Sequence, residues 1–214
     1  MPVSDISSIL EFKLGFATAS VALGSLAAIP YIFAILRGHR PPYSTCLGWL
    51  LIGMTGFIFH FQAISVEDDK WSAFLPALYI LIPLTYLVLL IFLRARWKLD
   101  TRDKVSLFGI AVCWLVWVVT HFSGFSSPVI PLVALASTDA FASWPLLQDA
   151  SRGEESKPMN VLSWTLTLGS VACGVIAVAD PWSAEIVYPG YLLIMMGSIW
   201  LCSMFNFLLQ VRVR

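Results

Sequence analysis

Long uninterrupted apolar runs are the feature that most restricts what this 214-residue chain can fold into. A helix crosses a bilayer with about 20 consecutive, mostly apolar residues, and several runs reach that length. The runs are continuous, unlike the short alternating segments of a membrane barrel. Only 12% of the residues are charged, about half the share in a soluble domain. These features predict an all-α membrane protein without a separate soluble domain.

The apolar runs predict seven transmembrane helices, over residues 14–36, 44–64, 71–93, 105–122, 127–147, 160–179 and 188–211. The fourth run is the shortest. The N-terminal stretch, MPVSDISSILEFK, contains acidic residues and has neither a basic region nor a cleavage site. We therefore expect no removable signal peptide, and we expect the first helix to be an uncleaved anchor.

Basic residues are divided unequally between the two sides that these spans define. One side has eleven of them, and the other has two, Lys13 and Lys70. Cytoplasmic loops are enriched in Lys and Arg, so the N-terminus is predicted outside and the C-terminus inside. The eleven residues are Arg37, Arg40, Arg94, Arg96, Lys98, Arg102, Lys104, Arg152, Lys157, Arg212 and Arg214. The predicted membrane topology explains why the basic residues lie on one side, so we expect no nucleic-acid partner.

An internal repeat appears when the sequence is shifted by 115 residues without a gap. The identical pairs include Ala27–Ala142, Pro30–Pro145, Arg37–Arg152, Gly38–Gly153 and Trp49–Trp164, with weaker matches such as Leu78–Leu193 and Phe92–Phe207 in the third and seventh spans. In each half a proline-containing helix ends at Arg-Gly, which is typical of helix C-termini. The halves begin four spans apart and therefore run in the same direction. The pattern predicts seven transmembrane helices as two parallel three-helix repeats joined by a linker helix (3+1+3).

This arrangement divides the chain into four parts. They are an N-terminal extracytoplasmic segment (1–13), a first three-helix repeat (14–93), an inner basic loop with the linker helix (94–126) and a second three-helix repeat (127–214). In transporters built from such repeats, the substrate site lies near the midplane between them. We expect an integral, multi-pass protein of the cell (inner) membrane.

The 3+1+3 pattern, the N-out orientation and a proline ahead of a basic inner loop in helices 1 and 5 make most of the chain similar to SWEET sugar carriers, PQ-loop proteins and KDEL receptors. A closer likeness, to uncharacterised bacterial seven-span members, is carried by two motifs, IPYIFAILRG at 29–38 and DAFASWP at 139–145. Neither repeat has the Pro-Gln pair, because Tyr31 follows Pro30 and Leu146 follows Pro145.

The resemblance implies a transporter of a small polar solute, sugar-like or amino-acid-like, that works by alternating access. It also implies that Pro30 and Pro145 are hinges; prolines that membrane helices simply tolerate are the alternative. KDEL receptors bind ligands for sorting, so a non-transporting membrane receptor, or an accessory subunit of a membrane complex, remains the alternative function.

Asp139 lies about twelve residues into the fifth span, close to its predicted midplane. A carboxylate at that depth costs about 2.5–3.5 kcal/mol on insertion scales, which makes such residues functional candidates. We predict that Asp139 faces the space between the repeats and takes up a proton, or pairs with a cationic group of the solute. A protonated Asp139 hydrogen-bonded to a neighbouring helix is the structural alternative. Its counterpart in the first repeat is Gly24.

Four further residues are candidates for a gate or a pocket: Trp49, Trp164, Trp200 and Asn206. The first two open equivalent helices near the predicted inner interface, where an aromatic belt would also explain them. An interhelical hydrogen bond would also explain Asn206. The Ser and Thr residues near the midplane fit helix packing at least as well as ligand binding.

The sequence offers little support for an enzyme. It contains no nucleophile elbow, Gly-rich phosphate loop or metal motif, and the four cysteines fall in predicted spans without zinc spacing. We therefore expect no cofactor and no bound metal. The expected partners are the lipid bilayer and a small-molecule solute, and association with a second copy or with a membrane complex stays open.

Overall fold

The computed structural model describes residues 3–63, 74–93, 99–124, 129–177 and 187–213. These residues contain seven α-helices joined by turns. The helices are α1 (Val3–Leu36), α2 (Tyr43–Ala63), α3 (Phe74–Phe92), α4 (Thr101–Phe122), α5 (Val129–Ser151), α6 (Pro158–Ala177) and α7 (Val187–Val213). The prediction of an all-α protein is confirmed for this part of the chain.

Four of these helices are long and apolar enough to cross a membrane. They are α1 from Phe12 onward, α4, α6 and α7 from Tyr188 onward. The described part of α3 contains a shorter apolar stretch, Ile80–Phe92. The chain thus has helices suited to a membrane, as its composition predicts.

Helix α4 is longer than its apolar run. The predicted span begins at residue 105, whereas the helix begins at Thr101 and has 22 residues. Asp100 is its N-cap, and the carboxylate accepts the Asp103 backbone N–H at 2.9 Å. This bond satisfies one of the donors that a helix leaves unpaired at its start. The polar first turn therefore belongs to the helix, although hydropathy alone does not reveal it.

The turns after α1 and α5 have matching ends. Helix α1 ends at residue 36 and α5 at 151, and α2 begins at 43 and α6 at 158, so both pairs are 115 residues apart. Gly38 and Gly153 follow the helix ends with φ values of 98° and 82°, a conformation that glycine adopts without strain. These boundaries have the offset of the sequence identities. The complete 3+1+3 arrangement remains a prediction.

The chain divides into two compact units. We call Met1–Tyr31 with Ala150–Arg214 the terminal unit, and Ile32–Asp149 the central unit. The terminal unit thus combines most of α1 with α6 and α7, and the central unit contains α2, α3, α4 and most of α5. The boundaries of these units differ from those of the repeats, and the four-part division expected from the repeats stays a prediction.

Small residues pack α1 against α6 within the terminal unit. The Ser170 hydroxyl donates to the Ser20 carbonyl at 2.6 Å. A Cβ atom on Gly24 would lie 3.0 Å from Ser170 Oγ, so the two backbones approach closely, as small residues allow in membrane helices. Gly24, the predicted counterpart of Asp139, is therefore a helix-contact position.

Several basic residues that predict the orientation lie outside the described residues. They are Lys70, Arg94, Arg96, Lys98 and Arg214. The orientation of the chain therefore stays a prediction from the sequence.

Candidate functional site

Asp139 is buried on the face of α5 that meets α2. Its exposed fraction is 2%. One turn further along α5, the Ala142 carbonyl accepts the Thr45 hydroxyl at 2.6 Å. The Trp49 indole N–H lies 3.4 Å from Ser143 Oγ, a long hydrogen bond. Side chains three and four residues apart share a helix face, so Asp139, Ala142 and Ser143 lie on one face and α2 packs there.

Hydroxyl groups from two helices bind the carbonyls that precede Pro145. Proline has no N–H, so the Phe141 carbonyl loses its usual helical donor. The Ser106 hydroxyl of α4 donates to it at 2.5 Å, and the Thr45 hydroxyl donates to the next carbonyl, that of Ala142. In a membrane, such donors make a proline tolerable inside a helix because they satisfy backbone groups that water cannot reach.

Two glycines permit these short contacts within the central unit. A Cβ atom on Gly48 of α2 would lie 2.3 Å from the Ala142 Cβ, and one on Gly109 of α4 would lie 2.3 Å from the Phe141 ring. A side chain at Gly48 would require α2 and α5 to move apart, and one at Gly109 would require the Phe141 ring to move. The proline turn of α5 is therefore held closely from two sides.

The proline turn of α1 has a corresponding bond within the terminal unit. The Ser163 hydroxyl of α6 donates to the Ala27 carbonyl at 2.7 Å. Ala27 and Ala142 each lie three residues before a proline and are 115 residues apart. The donors are not equivalent, because Ser163 corresponds to Gly48 and Thr45 corresponds to Asn160. The acceptor position is thus the same in both halves, although different residues supply the hydroxyl.

A buried carboxylate, Glu155, orders the connection between α5 and α6. It has an exposed fraction of 0% and accepts N–H bonds from Asn160 at 2.9 Å and Trp164 at 3.0 Å. The Trp164 ring also contacts Tyr31, with centroids 5.7 Å apart and planes at 72°. The predicted gate residue Trp164 therefore links the loop to the residue after Pro30, an arrangement that an aromatic belt does not require.

Trp200 and Asn206 make contacts between helices of the terminal unit. The Trp200 indole N–H donates to Thr165 Oγ1 of α6 at 3.0 Å. The Asn206 amide donates to the Ala150 carbonyl at 2.9 Å and to the Cys202 carbonyl at 3.0 Å. The bond to Ala150 of α5 is interhelical, of the kind that the sequence leaves open for Asn206, whereas the bond to Cys202 lies within α7. A role of either residue as a gate or in a pocket stays a prediction.

Charged side chains tie the ends of three helices together in the central unit. Arg102 of α4 pairs with Asp149 of α5 at 2.9 Å and with Asp100 at 2.7 Å. The Ser44 hydroxyl of α2 donates to Asp103 at 2.6 Å. The Asp103 N–H bond to Asp100, helped by Arg102, holds the pKa of the Asp100 carboxyl below its usual range. Asp149 is 6% exposed, so its pair with Arg102 is more sheltered than the pair of Arg102 with Asp100.

An apolar groove of about 310 Å³ lies between α4 and α5 in the central unit. Valine and isoleucine side chains line most of it, together with Ala134, Cys113 and Ser137. Such walls suit a hydrocarbon chain better than a polar solute. The groove is therefore a weaker candidate for a solute site than the face around Asp139.

Comparison with protein-family models, with curated proteins and with solved structures gave no match for this chain. The resemblance to the SWEET and PQ-loop superfamily therefore rests on the sequence pattern alone. Among the described residues, no group of three or more His, Cys, Asp or Glu side chains is arranged to hold a metal ion.

The hydroxyl donors and Glu155 are the residues that sequence reasoning missed. In the sequence, the hydroxyl residues look like ordinary packing residues; they are Thr45, Ser106 and Ser163. Glu155 looks like one more charged residue of a loop. Pro145 does signal that a donor is needed, because it frees the Phe141 carbonyl that Ser106 binds. Sequence does not show which neighbouring helix supplies that donor, and no proline signals the hydroxyls of Thr45 and Ser163, which bind the next carbonyl in each helix.

Proposed function

We propose that this protein is a multi-pass transporter of the cell (inner) membrane that carries a small polar solute by alternating access. Its seven spans form two parallel three-helix repeats around a linker helix, with the N-terminus outside and the C-terminus inside. Three observations support the repeat: the identities at the 115-residue offset, the helix ends at the same offset, and the hydroxyl bonds to Ala27 and Ala142. The resemblance to the SWEET and PQ-loop superfamily supports the transport function.

The burial of Asp139 is the observation that carries this proposal. The carboxyl is 2% exposed and lies in the middle of α5, beside the α2 contact formed by Thr45 and Trp49. An acidic group within a membrane is costly and is retained mainly where it serves an ion or solute pathway. Asp139 therefore provides the group that binds a proton or a cationic part of the solute.

The neighbouring groups suit a small polar solute. Ser143 lies one turn from Asp139 on α5, and the Trp49 indole of α2 is 3.4 Å from its hydroxyl. A hydroxyl beside an indole offers both a hydrogen bond and an apolar ring face. An amine or hydroxyl of a sugar-like or amino-acid-like solute can bind such a set. Loading and release at Asp139 would then couple the charge of the site to the conformational state.

The test is transport by the Asp139→Asn variant, which keeps the size and hydrogen bonding of the side chain but cannot titrate. The protein is reconstituted in liposomes containing a pH-sensitive dye, and a panel of sugars and amino acids is supplied outside. We expect solute-dependent proton entry for the wild type and its loss in the variant, together with a flat pH profile of solute uptake. With a cationic solute, the variant raises KM instead.

The matched control is Glu154→Gln, which removes an exposed carboxylate outside the spans and is expected to keep the wild-type profile. Uptake by Asp139→Asn with the wild-type pH profile and KM would contradict the role of Asp139. If the folded wild type moved none of the solutes, the alternative of a receptor or an accessory subunit would be favoured.

A further inference from the structure

Within the central unit, helices α4 and α5 touch closely at one level and form an apolar groove beyond it. At the contact, a Cβ atom on Gly109 would lie 2.3 Å from the Phe141 ring, and the Ser106 hydroxyl donates to the Phe141 carbonyl. From there toward the end of α4 and the start of α5, the two helices line the groove of about 310 Å³, which we call the α4–α5 groove. It extends along α5 from Ser137 back to Val129.

The same helix faces form the close contact and the α4–α5 groove. On α5, Ala134, Ser137 and Phe141 are three or four residues apart and therefore share a face. On α4, Gly109 and Cys113 are related in the same way. The small side chains of Cys113, Ala134 and Ser137 line the groove. The groove is thus the continuation of the α4–α5 interface toward one end of both helices.

The α4–α5 groove opens to the side. Branched apolar side chains form its edge and are 39–50% exposed; they are Val116, Val129, Ile130 and Val133. Helix α4 is long and apolar enough to cross a membrane, and its exposed side chains near the groove, Val112 and Leu115, are apolar as well. The groove therefore opens toward the hydrocarbon of the membrane rather than toward water.

The walls of the groove suit an apolar occupant. Among the described lining residues, only Cys113 and Ser137 carry a polar group, which is too few to replace the hydration of a polar solute. A cavity of about 150 Å³ with aliphatic walls stays dry and binds benzene. The α4–α5 groove is larger, at about 310 Å³, and has room for a longer hydrocarbon.

The length of the groove is close to the thickness of one leaflet. The stretch from Val129 to Ser137 corresponds to about 12 Å of helix, and the hydrocarbon of one leaflet is about 15 Å thick. The groove begins where α5 begins, at Val129. The contact of Gly109 with Phe141 lies about 18 Å along α5. A chain that enters from the headgroup side therefore follows the groove and ends near the middle of the membrane.

We propose that the α4–α5 groove binds one acyl chain of a membrane phospholipid, from the leaflet at which α4 ends and α5 begins. The chain packs against the branched side chains of the edge and against Ala134 and Ser137, and the contact of Gly109 with Phe141 limits its depth. Ile130 in the groove and Asp139 are about two and a half helical turns apart and lie on opposite faces of α5. The proposal therefore goes beyond the proposed function and does not depend on it.

The test is lipid retention by the purified full-length protein in detergent. Native mass spectrometry follows a titration with a phosphatidylcholine that carries a diazirine group near the end of one acyl chain. We expect the protein to retain one such lipid. Irradiation of the retained complex should place the crosslink within residues 109–113 or 133–137, at the deep end of the groove. A wild-type protein that retains no lipid, or crosslinks confined to other segments, would overturn the proposal.

Two variants with larger side chains test the groove itself. Ala134→Leu and Ser137→Leu extend into it and are each expected to weaken lipid binding at least about tenfold, because the chain loses buried apolar contact. Ala111→Leu is the matched control. Ala111 is exposed on α4 and lies two residues from Gly109, on the side of the helix away from α5. This variant should bind the lipid within about twofold of the wild-type affinity.

Wild-type affinity in both groove variants would overturn the proposal, and so would an equal loss in Ala111→Leu. If neither groove variant folds, the position of the crosslink in the wild type decides. A protein that retains a free fatty acid of the same chain length but not the phospholipid would show that the occupant is not a membrane lipid, which also overturns the proposal. Because these measurements require no transport, their failure is distinct from a failure of the proposed function.

Discussion

At the residue scale, the adjacent glutamates Glu154 and Glu155 have opposite surroundings. Glu154 is exposed, whereas Glu155 is fully buried and accepts N–H bonds from Asn160 and Trp164. A buried donor that loses its acceptor costs about 1–3 kcal/mol. The stability of the turn between α5 and α6 should therefore depend on Glu155 and hardly on Glu154.

We expect Glu155→Ala to lower the free energy of unfolding by roughly 2–4 kcal/mol, since two buried donors lose an acceptor. Glu154→Ala is the matched control and should change it by less than about 0.5 kcal/mol. Denaturant unfolding of the purified protein in detergent micelles, followed by circular dichroism, measures both. Equal losses in the two variants would show that the Glu155 bonds do not stabilise the turn.

At the element scale, the contact of α2 with α5 depends on the absence of a side chain at Gly48. A Cβ atom there would meet the Ala142 Cβ at 2.3 Å. We expect Gly48→Ala to destabilise the protein by about 1–3 kcal/mol, the usual result of overpacking. Gly15→Ala is the control: among the described residues, no atom beyond its own stretch of helix lies within 4 Å of its Cβ position, so this variant should gain up to about 1 kcal/mol.

Thermal unfolding of both glycine variants in the same detergent tests this expectation. If Gly48→Ala melted at or above the wild-type temperature, α2 would have room to move away from α5, and the close contact would not be needed for the fold. The Thr45 bond to Ala142 should weaken in the same variant, because a displaced helix moves its hydroxyl out of reach.

The sequence predicts the position of helices better than their contacts, and α4 and α5 show why. The apolar run of α4 locates the helix but not its polar first turn, which depends on the Asp100 cap. In α5, the pair Asp139 and Pro145 is visible as unusual residues in an apolar run. The donors Ser106 and Thr45 are ordinary residue types in distant segments, and their role arises only from tertiary packing.

At the scale of the whole molecule, the orientation of the chain follows from its loop charges and can be measured with reporter fusions. We expect alkaline phosphatase, which is active only outside the cytoplasm, to be active when fused after Gly124. A green fluorescent protein, which folds inside, should fluoresce when fused after Gly153 or at the C-terminus. These results follow from the excess of Lys and Arg on one side. The reverse pattern would contradict the N-out orientation.

The 115-residue offset is the long-range feature of the sequence that the helix ends reproduce, whereas the 3+1+3 repeat arrangement stays a prediction. The offset of 115 residues, read from five identical pairs, recurs in the helix ends and in the positive φ values of Gly38 and Gly153. The two compact units were not predicted, because their boundaries fall inside α1 and near the end of α5. Hydropathy treats each of these helices as one segment, and only the packing of distant residues divides them.

The composition of the terminal unit also determines the order in which the protein can assemble. Ser163, which binds the Ala27 carbonyl, lies 136 residues further along the chain, and ribosomes add about 5–20 residues per second. Helix α6 is therefore made on the order of 10 s after α1. The whole central unit is synthesised during that interval. During that interval the small-residue face of α1 lacks the α6 hydroxyls that bind it in the folded protein. We therefore expect folding in the membrane to be most sensitive to changes in α1, which is synthesised first and packs against its partner α6 late.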